Sequence, residues 1–174
     1  MSGRRYVIKI VLLGDAAVGK TSLVYRFIED NFRENYKSTL GVNLLKKDMD
    51  LGDLGDASAQ IWDLGGQESF KSLRKLYLEG ANGGLVIFDV SKRATFDKLD
   101  DWIGSFKESR GEQPLLLIGN KIDLKDRKVK EKEAKKYASA NNMELLMTSA
   151  KTGDNVETAF IELSKKIVKK IANE

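Results

Sequence analysis

The chain has 174 residues, 41% of them hydrophobic, enough for one globular domain over residues 1–174 with a full core. It has neither cysteine nor histidine, which excludes disulfides, thiolate or imidazole metal sites, a histidine base and any lipid carried on cysteine. Its net charge of +4 is uneven: basic and acidic side chains number 17 and 17 in residues 1–120, but 13 and 9 in 121–174.

Tyr6 to Leu13 is a β-branched apolar run and is predicted as a buried strand. Gly14-Asp15-Ala16-Ala17-Val18-Gly19-Lys20-Thr21 follows, and Ser22 to Ile28 continues with helical spacing of Leu23, Val24, Phe27 and Ile28. Strand, G-x-x-x-x-G-K-T and helix together make a phosphate-binding loop, with backbone N–H groups curling around an anion at a helix N-terminus. Lys20 is placed to reach the β- and γ-phosphates, and the Thr21 hydroxyl to ligate Mg²⁺.

Asp30 to Gly41 reads as a polar loop. Val42–Met49 and Ala57–Asp63 are predicted strands joined by a turn rich in glycine and aspartate, too short for a crossover and therefore an antiparallel hairpin. Leu64 to Lys71 is a second glycine-containing loop, leading into a helix that ends near Glu79. Gly83–Val90 is a buried strand, and Thr95 to Arg110 a helix with Phe96, Leu99, Trp102, Ile103 and Phe106 on one face. Leu115–Gly119 is a strand, Lys130–Ala140 a charged helix, Glu144–Met147 a short strand. Asp154 to Ala172 closes the order as an amphipathic helix with Val156, Phe160, Leu163, Ile167 and Ile171 inward. Alternating strands and helices predict a mainly parallel sheet covered on both faces, with ligand loops at the carboxyl ends of the strands.

Three further motifs stand at those ends. Asp63 closes the third strand within Trp62-Asp63-Leu64-Gly65-Gly66-Gln67-Glu68 and can hold Mg²⁺ through water. Gly66 lets a backbone N–H approach a γ-phosphate oxygen, and Gln67 can orient an attacking water by donating and accepting at once. In Asn120-Lys121-Ile122-Asp123, the Asp123 carboxylate can accept from guanine N1–H and the 2-amino group. Adenine offers neither donor. The Lys121 stem can lie on the purine face, with Asn120 tying the loop together and touching N7. Ser149-Ala150-Lys151 follows the sixth strand, and the Ala150 N–H can donate to guanine O6.

With these motifs in this order, residues 5 to 172 resemble a small GTPase of the Ras superfamily. The Rab branch is most similar, through Ser-Thr-x-Gly-Val around Thr39, Gln-Ile-Trp-Asp at 60–63 and Asn-Val-Glu-Thr-Ala-Phe at 155–160. The resemblance implies a three-layer α/β P-loop NTPase fold: a six-stranded, mostly parallel sheet with one antiparallel edge hairpin and about five helices. It implies nucleotide contacts from Gly14, Asp15, Ala16, Ala17, Val18, Gly19, Lys20, Thr21, Ser22, Phe32, Tyr36, Thr39, Gly66, Asn120, Lys121, Asp123, Ser149, Ala150 and Lys151. Phe32 would pack on the base and Tyr36 would cover the phosphates. Mg²⁺ would be held by Thr21, Thr39 and Asp63, and hydrolysis carried by Gln67, Lys20 and Gly66.

A GTP/GDP switch would use residues 33–41 and 65–75 to meet effectors, an exchange factor and a GTPase-activating protein. Gly65-Gly66 is similar instead to the Arf and Sar branch, and Leu44 replaces the phenylalanine that Rabs pair with the residues matching Trp62 and Tyr77. Ala16 stands where Ras has glycine, and Arg33 is the one arginine in the first switch segment. Three activities fit these residues: slow GTP hydrolysis, GTP-dependent binding without hydrolysis and phosphotransfer from ATP. The base motif disfavours the last. The terminal lysines read as solvated helix faces, without the interleaved aromatic residues a single-strand binder needs, so no nucleic-acid partner is expected. No apolar run reaches the roughly 18 residues of a bilayer span. A cytoplasmic monomer without an encoded lipid anchor is expected, with a peripheral membrane position if a lipidated tail belongs to it.

Overall fold

The computed structural model describes residues 4–29, 42–64 and 73–174. A six-stranded sheet in the order β2-β3-β1-β4-β5-β6 forms its middle layer. The strands are β1 (Arg5–Leu13), β2 (Val42–Asp50), β3 (Asp56–Leu64), β4 (Gly83–Asp89), β5 (Leu115–Asn120) and β6 (Glu144–Met147). β2 runs antiparallel to β3, a 3₁₀ turn at Gly52–Leu54 joins them, and every other neighbouring pair is parallel. The predicted mostly parallel sheet with one edge hairpin is the observed one.

Burial explains which strands sit where. β4 and β5 are buried along their whole length, as strands covered by helices on both faces must be. In β2 only Met49 is buried, which suits an edge strand with one face open. Along β1 the side chains alternate between two cores. Ile8, Ile10 and Leu12 join Leu23, Val24 and Phe27 of α1 (Lys20–Glu29) and Phe160, Leu163 and Ile167 of α6 (Val156–Ala172). Val11 and Leu13 face the other way, towards Tyr77 and Leu78 of α2 (Arg74–Leu78) and the stripe of α4 (Leu99–Arg110), Leu99, Trp102, Ile103 and Phe106. Each large side chain buried this way stabilises the fold by about 1.5–3 kcal/mol. Phe27 and Phe160 stack with centroids 4.3 Å apart, fastening α1 to α6.

The helix predicted over Thr95 to Arg110 is two helices, α3 (Arg93–Asp97) and α4 (Leu99–Arg110), parted at Lys98. α3 is pulled onto the end of β4. The Asp89 N–H donates to Thr95 Oγ1 at 2.9 Å, and Phe96 meets Phe88 edge-on at 5.0 Å. The apolar stripe continues across the joint, so spacing alone does not disclose it. α6 begins at Val156, after Asn155 in the left-handed region at φ 58°, two residues later than spacing suggested. α5 (Glu131–Ala140) agrees with the charged helix expected there, burying only Ala134 and Ala138.

One consequence of this winding matters for function. The carboxyl ends of β1, β3, β4, β5 and β6 lie on one edge, bringing Gly14, Asp63, Asp89, Asn120 and Thr148 together. Among the described residues, no helix is long and apolar enough to cross a membrane.

Candidate functional site

The loop from Gly14 to Gly19 leaves β1 and enters α1 through backbone conformations that side chains resist. Gly14, Ala17 and Gly19 have φ of 150°, 65° and 101°, and α1 opens with Leu23 N–H donating to the Gly19 carbonyl at 2.9 Å. Lys20 is 5% exposed and donates to the Gly14 and Asp15 carbonyls at 2.7 and 3.1 Å. The loop therefore closes around its own ammonium group. Burial pushes the Lys20 pKa down to about 8, with Asp63 and then Asp15 opposing that shift. Thr21 Oγ1 donates to Asp63 Oδ2, and Asp63 is 1% exposed.

These two oxygens fit a small hard cation. Two protein oxygens would be a minority of such an ion's ligands. That is how Mg²⁺ binds beside phosphates, keeping water and phosphate oxygens in its shell. Phe32, Tyr36, Thr39, Gly66 and Gln67 lie outside the described residues.

The base loop is tied directly to the phosphate loop. Asn120 Nδ2 donates to the Val18 carbonyl at 2.9 Å and Lys121 Nζ to the Ala17 carbonyl at 2.8 Å. The carboxylate of Asp123 accepts from Ser149 Oγ at 2.7 Å, joining the base loop to the Ser149-Ala150-Lys151 turn. Asp123 is exposed, Ser149 and Ala150 are buried and Lys151 is exposed. Asp15, Ala16 and Ser22 are partly covered and Ala17 is exposed, so part of the loop stays open to solvent. Four segments distant in sequence, Gly14–Thr21, Asp63, Asn120–Asp123 and Ser149–Lys151, are thus linked by hydrogen bonds.

Sequence reasoning missed four supports. Asp89, fully buried, accepts from the Ser91 N–H and hydroxyl and lies 3.0 Å from Lys121 Nζ. That ion pair is out of line for a hydrogen bond, so charge alone holds Asp89 Oδ2. Its signal was present: an acid closing an apolar strand, as Asp63 does. Thr148 Oγ1 donates to Asn120 Oδ1 at 2.9 Å and fixes that amide's orientation. Arg26 of α1 donates to the Thr152 carbonyl at 3.1 Å, bracing the last turn. The Trp102 indole N–H donates to Asp15 Oδ1 at 3.1 Å.

Tyr77, which the resemblance groups with Leu44 and Trp62, is 2% exposed. Its hydroxyl accepts from the Leu12 and Leu64 N–H groups at 3.1 and 3.2 Å and faces the Leu12 and Trp62 carbonyls. Burial raises its pKa, keeping it a neutral donor between the ends of β1 and β3. Leu44 remains exposed and Trp62 partly exposed.

Gly19 shows how tightly the loops interlock. A Cβ there would stand 2.4 Å from Asn120 Nδ2, at a φ that L-residues avoid. Gly19→Ala is expected to unseat the Asn120–Val18 bond and to weaken nucleotide binding about 100-fold. Strain of roughly 1–3 kcal/mol adds to a lost buried hydrogen bond. Equilibrium titration with a fluorescent guanine nucleotide checks it.

A mostly parallel sheet with the glycine-rich Gly14–Thr21 loop after β1 and the Asn120–Asp123 loop after β5 is the arrangement of a P-loop nucleotide-binding protein. Residues 9–169 match the Ras family, and the chain belongs to it. It is similar to Ras-related protein RABA6b of Arabidopsis thaliana, 40% identical over 164 residues, spanning 93% of this chain and 71% of that one. It is 39% identical to Ras-related protein Rab-18-B of Danio rerio (92% and 79% covered). To the Ypt/Rab-type GTPase YPT7 of Saccharomyces cerevisiae it is 36% identical over 172 residues (94% and 83%). These relatives place it in the Rab branch of the small GTPases.

Proposed function

We propose that this chain binds GTP and GDP with Mg²⁺, hydrolyses GTP slowly and acts as a nucleotide-dependent switch in membrane traffic. One observation carries the reading. Asn120 and Lys121 of the base loop are both bonded to carbonyls of the phosphate loop, so a purine site and a phosphate site share one frame. Lys20 would exchange the Gly14 and Asp15 carbonyls for β- and γ-phosphate oxygens, and loop N–H groups would complete the cradle. Thr21 and Asp63, with Thr39, would hold Mg²⁺, whose positive charge would offset that of the phosphates. Gln67 would orient water for in-line attack, with the Gly66 N–H on a γ-phosphate oxygen.

Without an arginine supplied by a partner, turnover is expected near the unaided rate of Ras, about 10⁻⁴–10⁻³ s⁻¹. Val42, Leu44, Leu73 and Leu76 are exposed apolar residues within or beside residues 33–41 and 65–75, and suit a surface met by effectors and regulators. The first test is the nucleotide released when the purified protein is denatured: GDP or GTP is expected, and adenine nucleotide overturns the reading. The second separates hydrolysis from binding alone. Gln67→Leu should slow single-turnover hydrolysis at least about tenfold, while an unchanged rate assigns the protein to GTP-dependent binding without catalysis.

A further inference from the structure

Trp102 belongs to the apolar stripe of α4 and is 1% exposed, yet its polar edge leaves the core. The indole N–H reaches Asp15, the second residue of the phosphate loop. The ring of the same indole carries the Arg74 guanidinium, its Cζ 3.4 Å from the ring centroid, with Lys20 Nζ 5.9 Å from that centroid. Arg74 is itself buried at the start of α2. Its Nη1 donates to Asp101 Oδ2 at 2.8 Å and to Ser105 Oγ at 3.4 Å.

The pattern on α2 argues against a solubilising role for this arginine. Leu73, just before the helix, and Leu76 within it are exposed apolar residues, while the cation between them is turned inward. Burying a guanidinium is costly unless it is paired, and this one has a carboxylate on one side and an aromatic face on another. A lysine could keep the ion pair with Asp101, but it has no planar group to lie flat on the indole. Arg74 is also among the charges that lower the Lys20 pKa, so its field reaches the phosphate loop.

We infer that Arg74 and Trp102 are positioning residues for the phosphate loop: α2 bears on Asp15 through a guanidinium–indole stack, and the loop's grip on a polyphosphate depends on that contact. The inference rests on the nucleotide-binding reading above, since it concerns how that loop is held. Coupling of this kind is reciprocal. A bound polyphosphate that fixes Asp15 favours the docked position of α2, and an agent that lifts α2 loosens the nucleotide.

The test is a mutant cycle on the release rate of a fluorescent GDP analogue from the whole chain. Arg74→Ala and Trp102→Phe should each speed release about tenfold, the scale of one hydrogen bond to a charged group. Phenylalanine keeps the ring and the packing but has no N–H. In an Asp15→Ala background, where the indole has no acceptor, Arg74→Ala should add less than about twofold. Arg74→Lys should fall between wild type and alanine.

Full additivity in the Asp15→Ala background would mean that Arg74 merely packs α2, and overturns the inference. So would unchanged release from both single variants; either result leaves nucleotide binding intact. Failure of wild-type protein to bind GDP at all overturns the binding reading and the inference together. Should Arg74→Ala not fold, the near-isosteric Arg74→Lys and Trp102→Phe carry the same cycle against Asp15→Ala.

Discussion

Asp123→Asn is expected to turn a guanine site into a xanthine site. The carboxylate would accept twice from guanine, at N1–H and the 2-amino group, and sites built to hydrogen-bond a group reject analogues lacking it by about 10⁴–10⁵. An asparagine offers one acceptor and one donor. It keeps the bond to N1–H but sets an N–H against the 2-amino group of guanine, whereas xanthine presents a carbonyl there. Ser149 strengthens the expectation. Its hydroxyl donates to Asp123 Oδ1 at 2.7 Å, and an asparagine oxygen in that position accepts the same bond, so the amide nitrogen is left facing the base. Affinity for GTP should fall by at least about 10³-fold while XTP becomes the preferred ligand. Competition of GTP, XTP and ATP against a fluorescent nucleotide measures it. A variant that retains wild-type preference for GTP would mean that Asp123 serves Ser149 and not the base.

Most of the fold could be read in the sequence, because the apolar runs of β1, β4 and β5 are short and bounded, and those of β1 and β5 are followed by motifs. The hairpin of β2 and β3 was equally plain, since seven residues cannot make a crossover. What spacing concealed was a break within a continuous stripe. Phe96 and Leu99 both face the core, so only the tether from Asp89 to Thr95 reveals that α3 ends before α4 begins. The site divides in the same way. Residues proposed to touch a ligand fall in contiguous motifs with fixed spacing, and Gly14–Thr21, Asn120–Asp123 and Ser149–Lys151 stand out in the sequence. Residues that hold those motifs are scattered singly: Asp89, Thr148, Arg26, Arg74 and Trp102 form no contiguous motif. Their roles arise only when the chain is wound, and hydrophobic periodicity placed Trp102 in the core without any hint of its polar edge.

Lys20 carries the other large effect, and its pH dependence changes sign with the ligand. In the nucleotide-free protein, burial holds its pKa at about 8, against an ordinary value of 10.5. Between those two values the unfolded chain binds more protons than the folded one. Stability of the nucleotide-free fold should therefore rise as pH climbs through that window, the charged amine being penalised below it. A polyphosphate reverses the balance, because its negative charge raises the Lys20 pKa and favours the ammonium form. Just above pH 8 binding must take up a proton, and affinity should decline as pH increases. Calorimetry in two buffers of different ionisation enthalpy should show uptake approaching one proton per nucleotide bound. Lys20→Ala should lose that uptake along with about 10²–10³-fold in affinity, the scale of leaving a charged partner unmatched in a largely enclosed site. Equal proton uptake in both proteins would assign the titration to another group and deny Lys20 its place beside the phosphates.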